Sequence, residues 1–313
     1  KASRRFTMSY SLATVHHQGS LAPVLETDGN YWLLDAVAPS LISSPERGLL
    51  DVFEKWDEAS GKLEHIVSSL SKGTLEASPI EQPSKDAFAA PILYPSKILC
   101  CGANYYDHIE KDMGITDFDK EKLDPLFFLK HSRALVGSGP SVRFPIQSKQ
   151  LDWEIELVVV IGRRAKRISR DRAMDCVAGY SVGLDLSARD WQFNPRHLQK
   201  FDLFAGKAFD DSSPLGPGIV PAKLVNPADL SLKLWVNSEL KQDSNTRQMI
   251  WSIAEQIEAV TKHVTLEPGD VLYTGSPSGV GLASQTYLNE GDRIDAEIGE
   301  VGRLSVRLVP ESE

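Results

Sequence analysis

Basic charge is scarce in this chain: 34 lysines and arginines stand against 43 aspartates and glutamates, a formal net charge of −9 over 313 residues. A nucleic-acid partner is therefore not expected, because proteins that hold phosphate backbones carry a basic stripe that displaces counterions. The short basic runs Arg4-Arg5, Arg163-Arg164 and Lys166-Arg167 read as solvated surface. Cysteine is also sparse. Cys100, Cys101 and Cys176 make an odd count without zinc or redox spacing, and adjacent cysteines rarely bridge each other. A cytoplasmic, reducing compartment is the expectation. No apolar run approaches the roughly 20 residues of a membrane span. The N-terminus has no charged segment leading into an apolar core, so neither a membrane partner nor a leader is expected, and Met8 is a candidate native start.

What is present is ordinary for a globular enzyme, with 42% hydrophobic and 25% charged residues. The length allows one large domain, or a small lobe followed by a large one. Short alternating runs at residues 11–15, 22–26 and 31–34, separated by turns at Gly19 and Asp28-Gly29-Asn30, predict a small β-rich lobe. Apolar spacing predicts helices over 45–59 and 63–70. The Ser-, Pro- and Ala-rich stretch 72–97 has no periodicity, which sets the division at an N-terminal lobe over 1–85 and a second domain over 95–313. Beyond it, strands are expected at 98–101, 177–184, 231–236, 271–274, 293–298 and 303–308, a polar helix or loop at 105–114, and one clear helix at 252–264. Strands outnumber long helices, so the fold class is mainly β with some α rather than a doubly wound sheet.

The chemistry concentrates in a few segments. In the run from Leu151 to Ile161, Asp152, Glu154 and Glu156 alternate with Trp153, Ile155 and Leu157, a strand pattern that puts the carboxylates on one face. Glutamates two apart lie roughly 7 Å from each other at Cα and can converge on one hard cation. Taken alone, the run equally describes a solvated acidic edge. Asp185 ends an apolar strand and is followed at i+4 by Arg189 and at i+7 by Gln192. That spacing fits a capping aspartate with a helical salt bridge as well as a binding site. Three carboxylates without a nearby His or Cys match Mg²⁺ or Mn²⁺, not Zn²⁺. Lys207 lies among small residues in a turn-rich segment and reads alone as a surface lysine. The loop after Thr274, Gly275-Ser276-Pro277-Ser278-Gly279-Val280-Gly281, lacks the Gly-Lys-Ser/Thr ending of a phosphate loop. Its backbone N–H groups and Thr274 are candidates to hold a carboxylate instead.

Together these segments carry a resemblance. Gly102-x-Asn104-Tyr105-x-x-His108, Phe128-Leu129-Lys130, Asp152-x-Glu154-x-Glu156-Leu157, Asp185-x-x-x-Arg189-Asp190-x-Gln192, Lys207-x-Phe209-Asp210, Pro214-Leu215-Gly216-Pro217, Pro268-Gly269-Asp270 and Thr274-Gly275-Ser276-Pro277-x-Gly279-Val280-Gly281 occur in this order, closed by Gly291-Asp292 and Ile298-Gly299. In that pattern the chain resembles the fumarylacetoacetate hydrolase family, acylpyruvate hydrolases and dienedioate isomerases among them, over residues 98–308. The N-terminal lobe resembles the small variable domain that many members carry.

The resemblance implies a mixed β-sandwich roll, a homodimer, and Mg²⁺ or Mn²⁺, with Ca²⁺ able to replace them, held by Glu154, Glu156 and Asp185. It implies a 2-oxo acid substrate and hydrolysis of a C–C bond in an acylpyruvate or related β-diketo acid through an enolate, in breakdown of aromatic or other ring-derived compounds. Relatives decarboxylate oxaloacetate-like acids or isomerise dienols. By the same implication Lys207, Arg189 and Gln192 are catalytic donors to substrate, joined in binding by Tyr105, Thr274 and Gly275, and His108 is the base that activates water. Where the family commonly has an acid three residues on, this chain has Lys111, which leaves Glu110, two residues after His108, and Asp112, four after, with Glu110 the expected partner. His131 and Ala208 also depart from the family pattern. A reading from another class, a non-catalytic β-sandwich module holding structural Ca²⁺, leaves Lys207, Arg189 and Gln192 without a purpose.

Overall fold

The strand Ile155–Ile161 is apolar at all positions but Glu156 because both of its faces are covered, a requirement that alternating patterns on half-exposed strands do not meet. In the computed structural model, which describes residues 9–139 and 141–311, it lies at the centre of a ten-stranded sheet. The proposed start at Met8 and the pair Arg4-Arg5 lie outside the described residues. On one side the strand pairs antiparallel with Val177–Leu184, which leads through Ser213–Pro221 to Ser11–His17, Ser20–Thr27 and Asn30–Leu33. On the other it pairs with Val271–Tyr273, followed by Ile98–Gly102 and the edge strand Leu126–Lys130.

Side-chain alternation divides the core in two. Leu157, Val159 and Ile161 pack with Tyr180 and Val182 against Leu232, Leu234, Ile294, Ala296 and Leu304 of a second, five-stranded sheet. Val158 and Val160, on the opposite face, pack with Tyr273, Leu12, Leu25, Phe53 and Leu63. The N-terminal strands thus share the large sheet and its core with the rest of the chain. The architecture is the mixed β arrangement with helices that the patterns predicted, and among the described residues no helix is long and apolar enough to cross a membrane.

The helical boundaries differ from expectation. Instead of helices over 45–59 and 63–70, the chain forms Leu50–Glu54, a break at Lys55, and one helix Trp56–Ser71. The Phe53 and Trp56 rings lie 5.3 Å apart across that break, so both stay on the buried side while the backbone re-aims. The helix Ile253–His263 starts where the sequence placed it. Ser252 and Glu255 form a reciprocal capping box, of a kind that contributes about 1 kcal/mol.

Candidate active site

Glu156 occupies the same face of its strand as Val158 and Val160, two residues nearer the strand's start, and its cross-strand partner is Gly183. The missing side chain matters there: a Cβ on Gly183 would lie 2.5 Å from the Tyr273 ring. Glu154 stands just before the strand, past a break in the ladder at Trp153, so the acidic run is not one continuous strand. Asp185 follows the end of Val177–Leu184, and its N–H donates to the Glu154 carbonyl at 2.9 Å. The result brings together the three carboxylates marked in the sequence. One ligand oxygen from each of Glu154, Glu156 and Asp185 lies within 4.8 Å of the others, and all three residues are buried. Burial removes the solvated-edge reading.

Cations hold this cluster together. Lys207, at the end of the short helix Leu203–Lys207 capped by Asp202, donates from Nζ to Glu154 Oε2 and Asp185 Oδ2, both at 2.7 Å. Burial alone would depress its ammonium, but Asp185 and Glu154 outweigh that and raise its pKa, so it stays charged. Burial would likewise raise the Glu154 carboxyl, and Lys207 with Arg189 reverses the effect and holds it well below the usual range. Arg189 pairs with Glu154 through Nη2, donates from Nε to Asp152 at 2.9 Å, and from Nη1 to Gln192 Oε1 at 3.0 Å. Asp152 is itself fixed by the N–H groups of Gly281 and Leu282 at 2.6 and 2.9 Å. The guanidinium is therefore committed to protein partners, and Arg189 positions Glu154 and Gln192 where the sequence suggested a direct donor to substrate.

Glu156 differs from its neighbours. Among the described residues its one hydrogen-bond donor is the Gly275 N–H at 2.7 Å, and no basic side chain pairs with it. Burial first, then Asp185 and Glu154, push its carboxyl well above the usual range. A buried carboxylate without a cation fits a site for a hard metal ion, as does an all-oxygen donor set. Asp152, Glu154, Glu156 and Asp185 exceed Arg189, Lys207 and Lys130 by one negative charge, and a divalent ion would turn that excess positive, as an anionic substrate requires. Glu154, Glu156 and Asp185 are the residues that would hold it.

His108 lines the same cavity of about 460 Å³ as the carboxylates and Lys207. It lies on a single wide helical turn, His108–Asp112, and its Nδ1 is 2.7 Å from Asp112 Oδ2. That carboxylate also accepts the Gly279 N–H at 3.0 Å. The acid partner is thus Asp112, four residues on, and not Glu110, whose position two residues on puts it on the exposed side of the turn. With Nδ1–H donated to Asp112, the lone pair rests on Nε2. Asp107 secures the start of the turn by accepting from the Ser244 and Ser278 hydroxyls at 2.6 and 3.3 Å.

Three other expectations change. Tyr105 is fully buried in the core, away from the cavity wall. The Thr274 hydroxyl donates to the Leu157 carbonyl at 2.7 Å, and the Gly275 N–H is used by Glu156, so both shape the cluster instead of receiving substrate. Sequence reasoning quoted Lys130 and Asp152 without giving them roles. Lys130 reaches Asp185 Oδ1 at 2.6 Å and the Ser212 carbonyl at 2.8 Å from the edge strand 55 residues upstream, which no local pattern could announce. His131 faces Asp210 at 3.4 Å, outside the cavity, and Ala208 is a buried residue just past Lys207. Burial pushes up the pKa of the Cys101 thiol, on the cavity wall, and of Cys100 beside it, opposite to the shift that a reactive thiolate needs.

Comparison with known proteins points the same way. The family profile described as fumarylacetoacetate (FAA) hydrolase C-terminal matches residues 97–309. The mitochondrial oxaloacetate tautomerase fahd2 of Xenopus laevis is 40% identical over 230 residues, which cover 72% of this chain and 69% of that protein. A fumarylacetoacetate hydrolase from Exiguobacterium antarcticum superposes with a TM-score of 0.79 at 29% identity, over 97% of this chain and 100% of the other. Fumarylpyruvate hydrolase from Pseudomonas aeruginosa, solved with Mn²⁺ and pyruvate, gives a TM-score of 0.62 at 35% identity over 72% and 93% of the two chains.

Proposed function

The chain belongs to the fumarylacetoacetate hydrolase family, and from its site we propose that it hydrolyses the C–C bond of an acylpyruvate or related β-diketo acid. The observation that carries this reading is the His108–Asp112 pair lining the same cavity as the Glu154, Glu156 and Asp185 cluster. Mg²⁺ or Mn²⁺ on those three carboxylates would supply Lewis acidity, polarising the 2-oxo group and stabilising negative charge as it develops. The Pseudomonas hydrolase, with Mn²⁺ and pyruvate together, supports that assignment.

The chain's own residues account for the proton transfers. His108 Nε2 takes a proton from water, and the hydroxide adds to the distal carbonyl of the β-diketo acid. Asp112 holds the Nδ1–H and stabilises the imidazolium that forms. When the intermediate collapses, the C–C bond breaks and its electron pair passes to C3 of the departing pyruvate, which then takes the proton back from His108. The products are a carboxylic acid and pyruvate. Lys207 and Gln192, both on the cavity wall, orient the 2-oxo acid, and Arg189 keeps Gln192 and Glu154 in place. Acids of this type arise when aromatic rings are opened and degraded, and the proposal extends to a role in such catabolism.

Purified protein with Mg²⁺ is expected to remove the enol absorbance of an acylpyruvate and to release stoichiometric pyruvate. No pyruvate from any of several acylpyruvates would sink the reading. A second reading, keto–enol interconversion of an oxaloacetate-like acid, is favoured by the sequence likeness to oxaloacetate tautomerases. Loss of oxaloacetate enol absorbance with neither pyruvate nor CO₂ formed is its signature.

The acid–base pair has its own test. Asp112→Asn retains an oxygen for the Gly279 N–H but removes the charge beside the imidazole, so kcat is expected to fall about 10²-fold in steady-state assays. Glu110→Ala is expected to leave kcat unchanged. The opposite ranking would return the acid role to Glu110.

A further inference from the structure

The cavity is divided by polarity. Its base carries Glu154, Glu156, Asp185, Arg189, Lys207 and Gln192, and beside the His108–Asp112 pair the rest of its lining includes the large apolar side chains Met113, Leu126, Phe128, Phe193, Phe201 and Leu203. Four of those apolar residues are 42–54% exposed, Met113, Leu126, Phe193 and Phe201, which is costly for large hydrophobic side chains unless something covers them. Phe193 and Phe201 bring their ring centroids within 5.5 Å of each other at the mouth. Of the basic side chains that line the cavity, Arg189 and Lys207 are already engaged by Asp152, Glu154 and Asp185 at its base, and His108 is paired with Asp112. Of the basic residues in the segment between Phe193 and Phe201, none lines the cavity: Arg196, Lys200 and His197, the last facing Asp202 at 3.8 Å.

From this division we propose that the substrate's far end is a neutral, apolar acyl group, aliphatic or aromatic, and not a second carboxylate. The inference rests on the 2-oxo acid reading of the base. A 2-oxo acid chelated there points its remaining chain outwards, and a terminal carboxylate on that chain would leave water for an apolar wall with no cation to receive it. An alkyl or aryl tail would instead cover Met113, Leu126, Phe193 and Phe201. The cavity, about 460 Å³, has room for such a tail beyond the 2-oxo acid head.

Binding and turnover separate this inference from the reaction assigned above. By calorimetry with Mg²⁺ present, 2-oxooctanoate is expected to bind at least about tenfold more tightly than the diacid 2-oxooctanedioate, a discrimination that follows from leaving one charged group unpaired. Among acylpyruvates, kcat/KM is expected to rise about three- to fourfold per methylene from acetyl- to hexanoylpyruvate, in step with apolar area covered. Phe201→Arg is expected to reverse the order of the two octanoic acids. Diacid binding equal to or tighter than the monoacid, or no binding of either, overturns the inference. Tight monoacid binding without cleavage of any acylpyruvate upholds it and removes the hydrolase reading alone.

Discussion

Glu156→Gln is expected to lower turnover by about 10³-fold while leaving the melting temperature of the metal-free protein unchanged or higher. The reasoning follows from the uneven distribution of cations around the cluster. Lys207 and Arg189 share Glu154, and Lys130 and Lys207 share Asp185, but Glu156 has the Gly275 N–H alone. Glutamine keeps an oxygen for that N–H and fills the same volume. What it removes is the charge that a metal ion needs and that the metal-free fold must otherwise tolerate. Burial, Asp185 and Glu154 raise the Glu156 pKa, so the folded chain holds this proton more tightly than the unfolded chain does. The associated stability is complete below the ordinary carboxylate range and is lost as pH rises through the raised value. Metal-free wild type should therefore lose stability across that window, and Glu156→Gln should not. Differential scanning at several pH values in chelator, beside a pyruvate-release assay in Mg²⁺, measures both. A large fall in melting temperature at all pH values would show that Glu156 is structural.

The same substitution at Glu154 is a poorer test, although the sequence made the two glutamates look equivalent. Their shared strand face concealed the ladder break at Trp153 and the pairing of Glu154 with Arg189 and Lys207. The sequence was legible to the residue in Val177–Leu184, buried on both faces, and in Ser231–Val236 and Arg293–Ile298, where every second residue is apolar and buried. Ser213–Pro221 shows the limit. Pro214, Gly216, Pro217 and Gly218 mark a turn by local chemistry, yet the segment is a nine-residue strand between Val177–Leu184 and Ser11–His17. Neighbours on both sides and near-complete burial impose extension, and the ladder tolerates the prolines through a register irregularity between Tyr180 and Val182. The Asp112 role had a readable signal in its i+4 spacing from His108, which places both on one side of a helical turn. The Lys130–Asp185 pair had none, because its partners meet only through sheet topology.

Lys207→Met is expected to cost the metal-free protein about 3–5 kcal/mol, the range for removing one partner from a buried ion pair. Methionine preserves much of the stem's volume, so the loss is electrostatic, the Nζ contact over the Phe128 ring included. Glu154 and Asp185 would each lose a 2.7 Å hydrogen bond, and the cluster would lose the ammonium that bridges them. A divalent ion attracts the same two carboxylates, and an ammonium between them opposes it. Removing that positive charge from a buried site should therefore tighten Mg²⁺ or Mn²⁺ binding by at least about tenfold, a modest share of the repulsion two cations feel at such separations. Urea unfolding should show the variant destabilised in chelator and largely restored by Mg²⁺. Turnover should not be restored if Lys207 is also, as proposed, the donor that orients the 2-oxo acid. Stability unchanged in chelator would mean that the carboxylates take up protons at no cost when Lys207 is lost. Activity restored by Mg²⁺ would mean that Lys207 serves only as a counter-ion and that another group orients the substrate.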